Sequence, residues 1–275
     1  MRSHLCRIVL IVLTLACGVA AAQPTDADAE GLPLNGVLLR LQIRRWEYAR
    51  NIPDFFADER IVSEMHGKRV ADVQTVTESL FRLRRGDRDT YPPDLFETRT
   101  VKRRDGVDMP PGTAFQGPSV IIGAFSNGLR TITLEQEACY NFHISHHRDV
   151  HHEPAITITY RMKPGAERKV RCLPWGDVRG EAVVNLNNFD VLHFEMKVPH
   201  YNMVPGVVGP WRWSIDYEPV SFDGRSFYLP QRIESESASE DGKMEWNFTA
   251  TYRNYHKTGV HSRIIPDLND GLTPP

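Results

Sequence analysis

Leu34, Val37, Leu38 and Leu41 recur at helical spacing, Leu39, Ile43 and Trp46 widen the stripe, and Arg44, Arg45, Glu47 and Arg50 fill the other side. This pattern predicts an amphipathic helix over residues 34–51, ended near Pro53. Beyond Pro53 the apolar period changes from about 3.6 to 2. Ile156, Ile158, Tyr160 and Met162 alternate with Thr157, Thr159 and Arg161, and Leu192, Phe194, Met196 and Val198 alternate with His193, Glu195 and Lys197. Trp211, Trp213, Ile215 and Tyr217 repeat the pattern against Arg212, Ser214 and Asp216, as do Trp246, Phe248, Ala250 and Tyr252 against Asn247, Thr249 and Thr251. Each run predicts a strand with one buried, aromatic-rich face. Less regular strands are expected over 55–65, 73–84, 94–103, 129–136, 138–146, 181–188 and 225–234.

Turn chemistry at Arg85-Gly86-Asp87, Asp105-Gly106, Lys163-Pro164-Gly165, Asp223-Gly224 and Asp241-Gly242 predicts hairpins between these strands rather than crossover helices. The Pro- and Gly-bearing stretch 105–128 reads as a long loop holding a short helix near Val120 to Phe125. One helix followed by about ten antiparallel strands predicts a mainly β protein, because a sheet of that size must either close on itself or be covered. The expectation is a large, curved, half-open barrel covered by the N-terminal helix.

The first residues qualify this picture. Arg2 and Arg7 precede an apolar run from Ile8 to Val19, and Ala20-Ala21-Ala22 follows as a small-residue cleavage pattern, the order of a secretory signal peptide. The run is shorter than the roughly 20 residues a membrane-crossing helix needs. The expected organisation is a signal peptide at 1–22, a flexible mature N-terminus at 23–33, a single domain at 34–262 and a tail at 263–275, the mature form exported without a transmembrane anchor. A lipid-bearing Cys17 is the weaker alternative, since Thr14-Leu15-Ala16 departs from the usual lipoprotein pattern. Losing Arg2 and Arg7 takes the 33 basic residues to 31 against 35 acidic ones, a net charge of −4, which argues against nucleic acid as a partner. Cys6 and Cys17 leave with the signal, so Cys139 and Cys172 remain as an even pair in an oxidising compartment and are expected to form a disulfide.

Catalytic chemistry is thinly signalled. Residues 143–153 hold five histidines and two carboxylates, good ligands for zinc, copper or nickel, and His147, Asp149 and His151 share one face of an extended segment. The spacing matches no metal motif, so the run reads first as a polar hairpin loop, and no metal or other cofactor is expected. Ser126 lies outside the strand-turn-helix context of a nucleophile elbow. Glu135 and Glu137 alternate onto one face of an expected strand, a placement that suits a solvated face as well as acid/base work. The basic runs 82–85 and 102–104 read as solvated hairpin ends. No catalytic residue is assigned, and the chain is expected not to be an enzyme.

The order of segments resembles exported β proteins of the lipoprotein-carrier and periplasmic stress-sensor superfamily, acidobacterial secreted proteins among them. The resemblance is carried by Tyr48-Ala49-Arg50-Asn51-Ile52-Pro53-Asp54-Phe55-Phe56-Ala57-Asp58-Glu59, by Gly180 to Asn185 leading through Asn188-Phe189-Asp190 to Glu195, and by Ile215 to Val220 with Tyr228-Leu229-Pro230. It implies a non-catalytic envelope protein that binds a lipid, a lipoprotein acyl chain or another apolar ligand on a concave face. Leu192, Phe194, Met196, Val198, Trp211, Trp213, Tyr217, Trp246 and Phe248 would line that face, and all are equally residues of an ordinary core. Two alternatives stay open: a metal-dependent envelope enzyme using residues 143–153, and a stress-sensing or scaffold module that binds a protein partner.

Overall fold

The computed structural model describes residues 33–68, 70–86, 94–115, 124–150, 152–173, 176–204 and 207–259. The expected signal peptide at 1–22, His151 and the expected tail at 263–275 lie outside the described residues. Helix α1 spans Leu34–Asn51. Val37 and Leu38 on its apolar stripe are fully buried and Leu41 nearly so. It stops where Pro53 forces Ile52 into extended backbone, φ −59° and ψ 128°.

The strands are β1 (Phe55–Gly67), β2 (Val70–Arg85), β3 (Leu95–Arg104), β4 (Val107–Asp108), β5 (Tyr140–Val150), β6 (Glu153–Met162), β7 (Arg179–Asn185), β8 (Val191–Val204), β9 (Val207–Phe222), β10 (Arg225–Ala238) and β11 (Met244–Lys257). They form one antiparallel sheet in the order β4-β3-β2-β1-β11-β10-β9-β8-β7-β6-β5. The chain walks outward from β1 to β4, crosses to the opposite edge, and returns by hairpins until β11 pairs with β1. The sheet is open, with β4 and β5 as its edges. Two of the tight turns are Asp105-Gly106 and Asp223-Gly224, where both residues have positive φ, the backbone that two-residue hairpins require and that Gly adopts without strain.

The long crossing from β4 to β5 corrects one expectation. Residues 129–136 do not form a strand: Ala124–Thr131 is helix α2, and Leu134–Ala138 is a 3-10 turn. Phe125, Leu129 and Ile132 stand at i, i+4 and i+7, and Phe125 and Ile132 are buried, so helical spacing prevailed over an alternation too short to decide between the two periods. Most of the short helix expected near Val120 to Phe125 lies outside the described residues.

One register row fixes the core. Ile144, Ile158, Ala182, Phe194, Ile215, Ile233, Ala250 and Ile61 are successive cross-strand partners from β5 to β1, and every one is buried. Their face carries both helices. The loop after β6 is tied to the start of β5 by the expected disulfide Cys139–Cys172, with the Cα atoms 5.5 Å apart.

Candidate functional site

Next to that row lies a second, Met196, Trp213, Ser235 and Phe248, followed by Val198, Trp211, Ser237 and Trp246. Strand alternation sends all eight to the helix-bearing face. The rings of Phe194 and Trp213 are 5.2 Å apart, those of Trp211 and Trp213 6.0 Å, and those of Tyr201 and Trp211 4.6 Å. Trp211 Nε1 donates to Ser235 Oγ at 2.8 Å. Trp213 Nε1 and the hydroxyls of Tyr217 and Tyr48 are buried without a hydrogen-bond partner among the described residues. Phe194, Met196, Val198, Trp211, Trp213, Tyr217 and Phe248 all belong to one apolar cluster, whereas Trp246 is half-buried and not part of it.

Leu192 is the exception. A register shift pairs Val183 with His193 but Val184 with Val191, so Leu192 is the extra residue of a bulge. Val191 enters the core instead, at 1% exposure, and Leu192 is left half-buried beside His193.

At the β1–β3 end of the same face sits a charged group that strand-by-strand reading missed. Arg99 Nε donates to Glu59 Oε1 at 2.8 Å, Arg99 Nη2 approaches Glu97 Oε2 at 3.5 Å, and the three side chains are 5, 0 and 4% exposed. Tyr252 Oη donates to Glu59 Oε1 at 2.9 Å, and the backbone N–H of Phe125 on α2 donates to Glu97 Oε1 at 3.3 Å. Arg99 lies over the rings of Phe81 and Phe115, 4.9 and 5.5 Å from their centroids. The signal was present: Phe55, Ala57, Glu59 and Ile61 alternate inward, so Glu59 occupies a core position.

Burial pushes the Glu59 carboxyl above the ordinary carboxylate range, with the Arg99 guanidinium opposing the shift. A carboxyl held high in the folded state stabilises fully below its unfolded value, about 4.3, and that contribution is lost as pH rises through the folded value. Urea unfolding at a series of pH values should therefore show a decline on the alkaline side of pH 4 that Glu59→Gln removes. An identical pH slope in the variant would rule Glu59 out as its source.

The remaining sequence candidates do not converge. His147 and Asp149 stand exposed near the β5–β6 turn, and no group of three His, Cys, Asp or Glu side chains is placed to hold a metal among the described residues. Ser126 falls within α2. Glu135 and Glu137 lie on the 3-10 turn rather than on a strand, and Glu135 Oε1 accepts from Gln42 Nε2 at 3.0 Å. On the outer face, His193 Nδ1 is 2.6 Å from Asp216 Oδ1 in an open groove of about 960 Å³. The described residues that line this groove include Glu153, Glu181, Glu218 and Tyr228.

No helix among the described residues is long and apolar enough to cross a membrane. No family model matches the chain, and no curated protein matches it. Among solved structures it is similar to a DUF1329 family protein from Desulfovibrio piger, at 9% identity over 81% of this chain and 93% of that one, with a TM-score of 0.42. It is similar also to a LolA superfamily protein from Nitrosomonas europaea, at 13% identity over 80% of this chain and 93% of that one, with a TM-score of 0.33. These likenesses are of fold alone.

Proposed function

We propose that the protein is a non-catalytic, exported binding protein that holds an acyl chain or another apolar ligand on the helix-bearing face of its sheet, with α1 as the cover. The way α1 is attached carries this reading. Its buried face offers the sheet mainly aliphatic side chains, Leu34, Val37, Leu38 and Leu41. Its specific fastenings are polar and lie toward the rim: Arg44 Nε and Nη2 to the two carboxylate oxygens of Asp190 at 2.8 and 3.1 Å, Gln42 to Glu135, and the Arg85 guanidinium to the Arg50 carbonyl. Gln42 is buried and the Asp190 side chain only 12% exposed, so these two contacts hold the helix by about 1–3 kcal/mol each. An acyl chain can replace the aliphatic contacts like for like, so the cost of lifting the helix over a ligand is confined to these few polar contacts. A second reading, a protein-binding module with a filled core, is supported by the close stacking of Phe81 on Phe125, 4.4 Å between centroids.

Native mass spectrometry of freshly purified protein, followed by titration with a fluorescent fatty-acyl probe, separates the two. The first reading expects a one-to-one acyl-bearing species or saturable loading that perturbs the emission of Trp211 and Trp213. Failure of both copurification and loading would remove it in favour of the second. The intact mass of protein recovered from culture checks the export component, which expects a chain beginning at Gln23.

A further inference from the structure

We propose that Cys139–Cys172 is a redox-labile latch on the helical cover, opened by a dithiol reductant that attacks Cys172. The inference rests on the reading of α1 as a cover and adds how that cover is regulated. The two sulfurs differ in access. Cys139 is 1% exposed, whereas Cys172 is half-buried at the end of a loop that runs Arg168-Lys169-Val170-Arg171. All four of those residues are exposed, Val170 completely. Three cationic residues that immediately precede Cys172 in the sequence favour the approach of a thiolate to its sulfur and, in the second step, the release of the Cys172 thiolate.

The buried sulfur is joined to the cover. Cys139 closes the 3-10 turn, its N–H donating to the Gln136 carbonyl at 2.8 Å. The loop that the disulfide holds grips the same turn: Lys163 Nζ donates to the Glu137 carbonyl at 2.6 Å and Lys169 Nζ to the Ala138 carbonyl at 3.1 Å. The far side of the turn meets α1 through a reciprocal pair, Gln42 Nε2 to Glu135 Oε1 at 3.0 Å and the Glu135 N–H to Gln42 Oε1 at 3.2 Å. Disulfide, turn and helix therefore form one mechanical line.

In the reaction, a thiolate of the dithiol bonds to Cys172 Sγ as the Cys139–Cys172 bond breaks, and Cys139 leaves with the electron pair and takes up a proton. The second thiol of the reductant then attacks the mixed disulfide and expels the Cys172 thiolate. The reductant ends as a disulfide and the protein as two thiols.

The test uses the full folded chain, dithiothreitol as reductant, iodoacetamide with intact-mass readout, and hydrogen exchange of α1. The expected result is addition of two alkyl groups without denaturant and about tenfold faster exchange in α1, equivalent to the loss of one or two hydrogen bonds. Strands β8 to β11 should keep their protection. The double variant Cys139→Ser, Cys172→Ser should reproduce the reduced pattern, and Glu135→Ala should loosen α1 with the disulfide intact. Thiols that react only after denaturation would overturn the lability. Unchanged α1 exchange after reduction would overturn the latch, and so would loss of protection throughout the sheet, which marks a global staple. No ligand enters the readout, so a loosened α1 in a protein that loads no acyl probe would defeat the binding reading and leave the latch standing.

Discussion

Replacing Arg99 with Met should destabilise the fold by about 3–5 kcal/mol, the range for removing one partner of a buried ion pair. Glu59, with no exposed side-chain surface, would keep only the Tyr252 hydroxyl, while its Oε2 already has no partner among the described residues. Glu97 would retain the Phe125 N–H but lose the cation beside it. Met fills a comparable volume against Phe81, so the loss is electrostatic rather than a cavity. In a chain of this size the change corresponds to a fall of roughly 6–20 °C in Tm. Burial already raises the Glu59 carboxyl, so its protonation limits the damage and the deficit should be smaller at pH 5 than at pH 7. Adding Glu59→Gln to Arg99→Met should recover a large part of it, because a neutral amide costs less to bury than an unpaired carboxylate. Thermal and urea unfolding of the two variants at both pH values checks this. A single variant within 1 kcal/mol of wild type would mean that the charged group is effectively solvated.

Why this group escaped the sequence while the sheet did not follows from how each is encoded. The helix over 34–51 and the strand cores at 156–162, 194–198, 211–217 and 246–252 are written locally, as the period of apolar side chains. Glu59 and Arg99 lie on β1 and β3, separated by β2, and each alone reads as one charge within a strand. Only the registers that set Glu59 opposite Ser79 and Ser79 opposite Val101 bring them onto one face near each other. The Leu192 bulge is hidden for a related reason: Leu192-His193-Phe194 alternates well enough, and the extra residue shows only against β7. The segment 129–136 was ambiguous because Leu129, Ile132 and Leu134 are too few apolar positions to decide between the two periods, and the partners of Phe125, namely Phe55, Phe81 and Tyr252, lie far along the chain. The disulfide was legible because the expected loss of residues 1–22 leaves just two cysteines. Its link to α1 was not, since Gln42 and Glu135 are 93 residues apart.

The second large effect is expected at Phe55. This fully buried residue starts β1, and its ring lies 5.5 Å from Phe222 and Tyr255, 6.0 Å from Phe125 and 6.1 Å from Phe81. It therefore joins the turn between β9 and β10, the end of β11, helix α2 and strand β2. Phe55→Ala should cost about 3–5 kcal/mol, the transfer free energy of the ring plus the cavity left among side chains that cannot all collapse into it. Phe96→Ala, which truncates a ring 56% exposed, should stay within about 0.5 kcal/mol and serves as the control for losing an aromatic residue. Because Phe125 also stacks on Phe81 and touches Tyr252, α2 would keep part of its seat, and its amides should exchange faster without full loss of protection. Equal losses for the two alanine variants would mean that the aromatic cluster is loosely packed. In that case the face under the helices already has the free volume that ligand binding requires, and lifting α1 would be unnecessary.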